Sequence, residues 1–361
     1  MKVCVYAICK NESKFVDRWM DSMSEADGVY VLDTGSTDGT VELLRRRGAE
    51  VKAQVVEPWR FDTARNLSMD MLPDDADICV CTDLDEIFHP GWRALMEAAW
   101  KPGTTRAAYR YTWNFNPDGS EGYVFWTEKA HSRRGYRWTR PVHEVLSWTG
   151  EGSEGEKVYV EGVQLDHHAD NSKSRSQYLP LLEMSVQEDP EDDRNMHYLG
   201  REYYFHSMWN EAIITLKRHL TLPKSTWADE RCASMRYISR CYAELGERGE
   251  SLRWLYRAVA EAPHLREPYL ELAERLYEDE NWDGVVFLCR EAVKISVRPR
   301  TYICEAESWG SLPWDLLSLG LFYTGRFREA AEAARMAARL SPSDERIAHN
   351  LVLMEKSASE H

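Results

Sequence analysis

The chain has 361 residues, enough for two domains of ordinary size, each with its own core. A formal charge of −15 without any basic block argues against broad contact with nucleic-acid phosphate, although a local basic groove is compatible with it. No apolar run reaches the roughly 20 residues needed to cross a bilayer, and residues 1–10 lack a small-residue cleavage site, so a first strand is expected there instead of a secretory leader.

Residues 3–8 form a compact apolar segment followed by Lys10-Asn11-Glu12-Ser13. This predicts a parallel strand, a loop, and a helix over about 14–23. A second short apolar run, 29–32, ends in Asp33-Thr34-Gly35-Ser36-Thr37-Asp38-Gly39-Thr40. Ser36 or Thr37 is expected to cap the helix that follows to Arg47, and Gly48 to stop it. Residues 51–56 read as a third strand and 62–71, with Arg65-Asn66, as a helix. The apolar run Ile78-Cys79-Val80-Cys81 then stops abruptly at Asp83-Leu84-Asp85-Glu86. Strand and helix alternate about every 25 residues, the signature of an α/β domain with a parallel sheet.

The acidic residues share an address. Asn11-Glu12, Asp33 and Asp83-Leu84-Asp85 all fall at the expected carboxyl ends of strands, where open α/β sheets bind ligands. Carboxylates gathered there can hold a hard divalent cation, the natural counter-charge of a diphosphate. Asp33 is placed to accept hydrogen bonds from a base or ribose. No G-x-G-x-x-G follows the first strand and no G-x-x-x-x-G-K-[ST] occurs, so phosphate neutralisation falls to a metal on Asp85 and to cations such as Arg65.

As an ordered set, Cys9-Lys10-Asn11-Glu12, Leu32-Asp33-Thr34-Gly35-Ser36, Ala64-Arg65-Asn66 and Thr82-Asp83-Leu84-Asp85-Glu86 resemble a family 2 glycosyltransferase of the GT-A fold. The resemblance covers roughly residues 1–170. It implies a mostly parallel, Rossmann-like sheet with an antiparallel extension. It also implies inverting transfer from a nucleotide-diphosphate sugar, most simply a UDP-sugar, with Mn²⁺ or Mg²⁺ held through the D-x-D motif. On that resemblance Asp33 contacts the nucleoside, Asp83 the ribose or sugar, and Asp85 the metal. Asn11, Glu12, Ser36, Arg65 and Asn66 line the donor pocket.

Residues 106–115 and 123–130 alternate and are rich in aromatics, with Asn116-Pro117-Asp118-Gly119 as a turn between them, which predicts the antiparallel extension. Next comes Trp138-Thr139-Arg140-Pro141-Val142-His143-Glu144. Pro141 disfavours helix, placing His143-Glu144 in a loop on the acceptor side. By the resemblance Glu144 is the general base of an inverting displacement; His143 either serves instead or orients it. Residues 157–165 form a further strand ending in Asp166-His167-His168. Adjacent strand residues point to opposite sides, so one histidine faces the site; the resemblance favours His167 as a metal ligand beside Asp85. The glycine-rich residues 150–156 are either a lid over bound donor or an ordinary hairpin tip.

The domain is expected to end at Ser172, with residues 173–361 forming an all-α tetratricopeptide-like repeat domain. Leu199, Ile238, Leu272 and Leu319 mark equivalent points of four degenerate units, spaced by 39, 34 and 47 residues against about 34 in a standard unit. The array is therefore irregular, with insertions. The polar tail beyond Met354 is expected to fray.

These readings lead to a metal-dependent inverting glycosyltransferase whose repeats hold the acceptor, preferably a protein or peptide side chain. A lipopolysaccharide or other saccharide and a hydroxylated nucleobase in DNA are the alternative acceptors. Two competing classes are a nucleotidyltransferase and a non-catalytic, repeat-based adaptor with a degenerate donor domain. Eight cysteines without a C-x-x-C pair suit reduced thiols and a cytoplasmic location. The repeat faces also leave room for homo-oligomers.

Overall fold

The computed structural model describes residues 1–116, 119–170 and 177–360. The chain divides into two compact units, Met1–Glu188 and Asp189–His361. The expected division at Ser172 falls within residues 171–176, outside the described residues, and so do Pro117 and Asp118 of the expected turn.

The first unit runs β1 (Val3–Cys9), α1 (Ser13–Ser22), β2 (Gly28–Asp33), α2 (Thr40–Arg46), β3 (Glu50–Ala53), α3 (Phe61–Met69), β4 (Ile78–Cys81), β5 (Glu86–Phe88), α4 (Trp92–Ala99), β6 (Thr104–Thr112), β7 (Val124–His131), β8 (Tyr136–Thr139), β9 (Val145–Trp148), β10 (Glu156–His167) and α5 (Tyr178–Glu188). Among the described residues these strands make an eight-stranded sheet, ordered β3-β2-β1-β4-β7-β6-β10-β5, and a β8–β9 hairpin. Strands β3, β2, β1 and β4 are parallel; β7 runs antiparallel to both neighbours, β10 is parallel to β6, and β5 closes the edge antiparallel to β10. The mostly parallel α/β unit with an antiparallel extension is therefore present.

Strand β1 is buried along its whole length because both faces are covered. Val3, Val5, Ala7 and Cys9 share a core with Phe15, Val16 and Trp19 of α1 and Trp92 and Met96 of α4. The alternate residues Cys4 and Tyr6 face Met69 of α3 and Tyr136, Trp138 and Leu146 of the hairpin. Full burial of a side chain such as Val16 or Leu44 contributes about 1.5–3 kcal/mol.

Two local expectations change. Helix α2 is entered through Gly39 at φ 84 without a side-chain cap, and Ser36 and Thr37 instead bind Asn11. A left-handed entry residue makes glycine the natural choice there. Residues 150–156 join β9 to β10 at the amino end of β10, where the Glu156 amide donates to the Gly103 carbonyl at 2.9 Å. Asp85 and His167 meet at the other end of β10, so this loop is not a lid over them.

The second unit is all helical: α6 (Asp193–Phe205), α7 (Trp209–His219), α8 (Ala228–Glu244), α9 (Arg248–Glu261), α10 (Glu267–Glu278), α11 (Trp282–Lys294), α12 (Leu312–Tyr323), α13 (Phe327–Leu340) and α14 (Glu345–Glu360), with a 3₁₀ turn at Ala306–Trp309. The four expected units are the hairpins α6–α7, α8–α9, α10–α11 and α12–α13. Small residues allow their close approach. A Cβ on Gly200 would stand 2.4 Å from Leu216 Cγ, and Ala330 and Ala334 are buried. The tail does not fray after Met354; α14 continues to Glu360, with Leu351, Met354 and Ala358 packed on the core.

Candidate active site

The central feature follows from connectivity. Strands β4 and β5 are adjacent in sequence but separated in the sheet by β7, β6 and β10. Residues 82–85 therefore span those strands, turning at Leu84-Asp85, where the Glu86 amide donates to the Asp83 carbonyl at 3.0 Å. Leu84, Glu86 and Phe88 are buried, whereas Asp83 and Asp85 are partly exposed. The D-x-D spacing thus sets one buried residue between two partly exposed carboxylates at a turn.

Asp83 and Asp85 meet different partners. Arg65 reaches Asp83 at 2.9 Å and Lys129 of β7 reaches it at 3.3 Å. These cations hold the Asp83 carboxyl below its ordinary range even though burial pushes the other way. Lys129 also binds Glu86 at 2.5 Å, and Glu86 takes the Tyr111 hydroxyl at 2.7 Å and the Asp83 amide at 2.9 Å. Glu86 is thus an internal strut and not a third ligand.

Asp85 Oδ2 lies 3.3 Å from His167 Nε2. The other ring nitrogen, Nδ1, is 2.8 Å from the Trp113 carbonyl oxygen. A carbonyl can only accept, so Nδ1 carries the proton, and in the neutral ring Nε2 turns its lone pair toward the carboxylate. A hydrogen-bonded Nδ1–H is the usual support of a metal-binding imidazole. Burial lowers the affinity of this ring for a second proton, but Asp85 outweighs it and the imidazole is raised above its ordinary value. Both the proton and a divalent cation are answers to the same negative pocket. His168 takes no part in the pair; its ring stacks on Phe115 at 5.4 Å and its amide donates to the Asp85 carbonyl at 2.8 Å.

Among the described residues no group of three or more His, Cys, Asp and Glu side chains closes a metal cage. Asp85 with His167 nevertheless fits Mn²⁺ or Mg²⁺ of the open kind, in which one or two protein ligands leave positions for phosphate oxygens and water.

Glu144 is delivered by the hairpin. Both ends of the Asn66 amide hold the Trp138 backbone, at 2.8 and 2.9 Å, and the Phe61 amide donates to the Pro141 carbonyl at 2.9 Å. The β8–β9 turn is thereby docked on α3, and Glu144 Oε1 sits 2.5 Å from Arg65 Nε. Arg140 and His143 have φ of 80 and 48, a left-handed conformation that is costly for non-glycine residues and concentrated at functional loops. His143 packs its ring against Tyr178 at 5.7 Å. Asn66 is accordingly a positioning residue, and Arg65 bridges Asp83 and Glu144.

The other expected donor residues form a clasp at the ends of β1 and β2. The Asn11 amide donates to Ser36 Oγ at 2.8 Å, Asn11 Oδ1 accepts from the Thr37 amide at 2.7 Å, and the Glu12 amide donates to Thr40 Oγ1 at 2.8 Å. Asp33 Oδ1 accepts from the Gly35 and Ser36 amides, both at 3.1 Å, so its first role is to shape this loop. The clasp and the Arg65 cluster occupy the same carboxyl edge of the parallel strands, where Asp33 pairs with Cys9 and Cys81 with Tyr6.

Sequence reading missed Lys129 and Trp113. Lys129 lies where β7 shifts register against β6, between the Ala107–Ala130 and Tyr109–Thr127 pairs, so strand alternation does not signal its direction. Trp113 is 46% exposed with its ring 4.6 Å from His167, an aromatic platform beside Asp85.

No protein-family model and no curated protein matches the chain. Solved structures with similar backbones include MamA (15% identity, TM-score 0.36, 45% of this chain and 81% of that one). YrrB, a TPR protein with an unusual peptide-binding site, gives 13% identity and TM-score 0.37 over 48% and 81%. The C-terminal part of a TPR repeat-containing protein from Cytophaga hutchinsonii gives 10% identity and TM-score 0.41 over 51% and 67%. The chain itself combines an α/β sheet unit with an all-helical unit of successive hairpins. TM-scores this low carry no functional argument.

Proposed function

We propose that the first unit is a metal-dependent, inverting glycosyltransferase of the GT-A type. It would take a sugar from a nucleotide-diphosphate donor, most simply a UDP-sugar, to a protein or peptide side chain. The observation that carries this reading is the pairing of Asp85 with a His167 whose Nδ1–H is already fixed, two residues from Asp83 in the crossing segment. A cation bound there would offset the charge of the departing nucleoside diphosphate. The Asn11–Ser36 clasp fits the nucleoside side of such a donor, and Trp113 offers a flat apolar surface to a sugar ring.

Glu144 fits the base. In an inverting displacement the acceptor oxygen attacks the anomeric carbon as its proton passes to a carboxylate, and the bond to the diphosphate breaks on the opposite face. Arg65 Nε holds Glu144 Oε1, leaving Oε2 as the oxygen for the acceptor proton. Saccharide and nucleobase acceptors remain the alternatives; the charge of −15 disfavours DNA. Eight buried, unpaired thiols support a cytoplasmic location, and the repeat faces fit self-association.

The second reading is an adaptor with an inactive donor unit. It is favoured by Arg65, which neutralises Asp83 and Glu144 together. One experiment separates the readings: a panel of nucleotide sugars with Mn²⁺, assayed for released nucleoside diphosphate. Release from one donor supports the transferase, whereas pyrophosphate released in a parallel arm supplied with a nucleoside triphosphate and a sugar 1-phosphate indicates nucleotidyl transfer. Neither release nor metal-dependent donor binding by a folded protein leaves the adaptor.

A further inference from the structure

Residues 295–311, which join α11 to α12, are anomalous in the helical unit. The equivalent connection between α9 and α10 is only residues 262–266. Loops beyond about 12–15 residues with little regular structure are uncommon in compact domains and usually have a function. The single 3₁₀ turn at Ala306–Trp309 is the only regular piece described here.

The segment is pinned at both ends by one residue. Arg266 donates to the Ile295 carbonyl through Nε at 2.9 Å and Nη2 at 2.7 Å, reaches the Ser308 carbonyl through Nη1 at 3.3 Å, and lies 3.9 Å from the Trp309 ring centroid. In between, it crosses α10, α8 and α6. The Glu305 amide donates to Glu267 Oε1 of α10 at 3.0 Å. The Glu305 carboxylate takes Arg236 Nη2 at 2.7 Å and approaches Arg240 Nη2 at 3.6 Å, both on α8. Three residues earlier, Tyr302 stacks on Tyr198 of α6 at 6.0 Å, meets Trp227 edge-on at 5.7 Å, and lies beneath the Arg194 guanidinium at 5.2 Å. Its hydroxyl donates to Glu230.

These contacts have the character of a bound ligand more than of a packed insertion. An aromatic ring is held between aromatic faces and a guanidinium, and an acid sits on an arginine pair. Helices α6, α8 and α10 are the first helices of three successive hairpins, so the segment is read by three repeats at once. Repeat arrays use such continuous faces for extended partners. Val297 is 78% exposed, while Ile303 and Cys304 are tucked under and oppose release.

We propose that the shared face of α6, α8 and α10 is a recognition groove for an extended partner segment bearing an aromatic residue and, three positions on, an acid. Residues 295–311 are its tethered stand-in, displaced when that partner binds. The tether gives the stand-in an effective concentration of about millimolar, so the groove rejects weak ligands until the stand-in is loosened. This rests on the helical unit alone, and its failure leaves the transferase reading untouched.

The test uses the full chain and a fluorescein-labelled synthetic peptide copying residues 299–310, followed by anisotropy. The Tyr302→Ala/Glu305→Ala double variant is expected to bind this peptide at least about tenfold tighter than the wild type, because its own stand-in no longer competes. Adding Arg240→Glu should remove that gain, and salt should weaken the binding. A double variant that keeps its helical circular dichroism and cooperative melt yet binds no better than wild type overturns the proposal. Should the double variant unfold, hydrogen exchange in the wild type decides. Amides of residues 296–304 exchanging about a hundredfold faster than those of α10 and α12 support displacement, and exchange in step with those helices refutes it.

Discussion

Arg65→Met tests the electrostatic heart of the first unit. The substitution keeps most of the apolar stem, and deletes the guanidinium that lies 5.3 Å over the Trp138 ring and between Asp83 and Glu144. Arg65 is only 5% exposed and the Glu144 side chain 12%, so solvent hardly replaces the charge lost there, whereas the Asp83 side chain, 33% exposed, is partly screened. Removing one partner of a buried ion pair costs about 3–5 kcal/mol. Lys129 stays 3.3 Å from Asp83, and the one-third exposure of that carboxylate adds solvent screening, which places the expected loss at or below the lower bound, about 2–3 kcal/mol. The loss carries a pH signature. Burial pushes the Asp83 carboxyl up, but Arg65 and Lys129 hold it below its ordinary value. A depressed carboxylate stabilises the fold above its unfolded value of about 4, and that contribution disappears as pH falls through the lower folded value. The gap between wild type and variant should therefore be full at pH 7 and narrow in acid. A global melt would mix the two units, so the readout is urea-dependent hydrogen exchange of peptides from β1 and β4. Arg65→Lys, which keeps the charge but not the fork, should lose about half as much. A loss at pH 7 below about 1 kcal/mol would refute the reasoning, since it would make these carboxylates effectively solvated.

Three further outcomes are expected. Glu144→Gln should leave donor affinity within a few-fold while transfer falls by about 10²-fold or more, measured as product formation at saturating donor; an active Glu144→Gln protein removes this residue from the base role. Burial lowers His131 to about 4, and its Nε2 takes the Tyr6 hydroxyl at 2.7 Å. Below about 6.5 the unfolded chain then binds a proton that the native one refuses, so stability falls from pH 6.5 toward 4, by about 2 kcal/mol at pH 5; β7 exchange rates at pH 7 and 5 measure this, and His131→Gln should flatten the slope. Gly200→Ala should destabilise the helical unit by about 1–3 kcal/mol through overpacking against Leu216, read as a lowered urea midpoint for α6 and α7 peptides.

Much of this architecture was legible from period and punctuation. Strands buried on both faces write themselves as apolar runs, as 3–8 and 78–81 do, and the helical hairpins kept their Tyr, Gly and Ala spacing through irregular insertions. What escaped were elements defined by partners instead of pattern. Strand β5 is three residues long, below any periodicity, and exists because β10 accepts it. The β8–β9 hairpin was invisible because its turn holds Arg140 and His143 in left-handed backbone, where sequence rules anticipate glycine or asparagine. The choice of His167 over His168 depends on which side of β10 faces Asp85, and period 2 gives the alternation but not its phase. Lys129 was not legible, since a lysine in a strand ordinarily points to water and β7 shifts register beside it.

The charges around the crossing segment make a cation necessary to the proposed donor site. Asp83, Asp85, Glu86 and Glu144 bring four carboxylates, against which Arg65 and Lys129 are the permanent cations in contact, and both are already committed to Asp83, Glu86 and Glu144. Among the described residues the side chain of Asp85 pairs with His167 alone. A diphosphate approaching within about 4 Å of Asp85 would meet a repulsion of about 4 kcal/mol per unit charge at an effective dielectric of 20. A divalent cation on Asp85 and His167 reverses that sign. Donor binding by calorimetry should therefore weaken by about 10³-fold in EDTA relative to Mn²⁺, and Asp85→Asn in Mn²⁺ should approach the EDTA value without speeding hydrogen exchange in β1 and β4. UDP-sugar affinity within threefold in the presence and absence of metal would mean that the D-x-D face does not hold the diphosphate, whatever else the sheet edge binds.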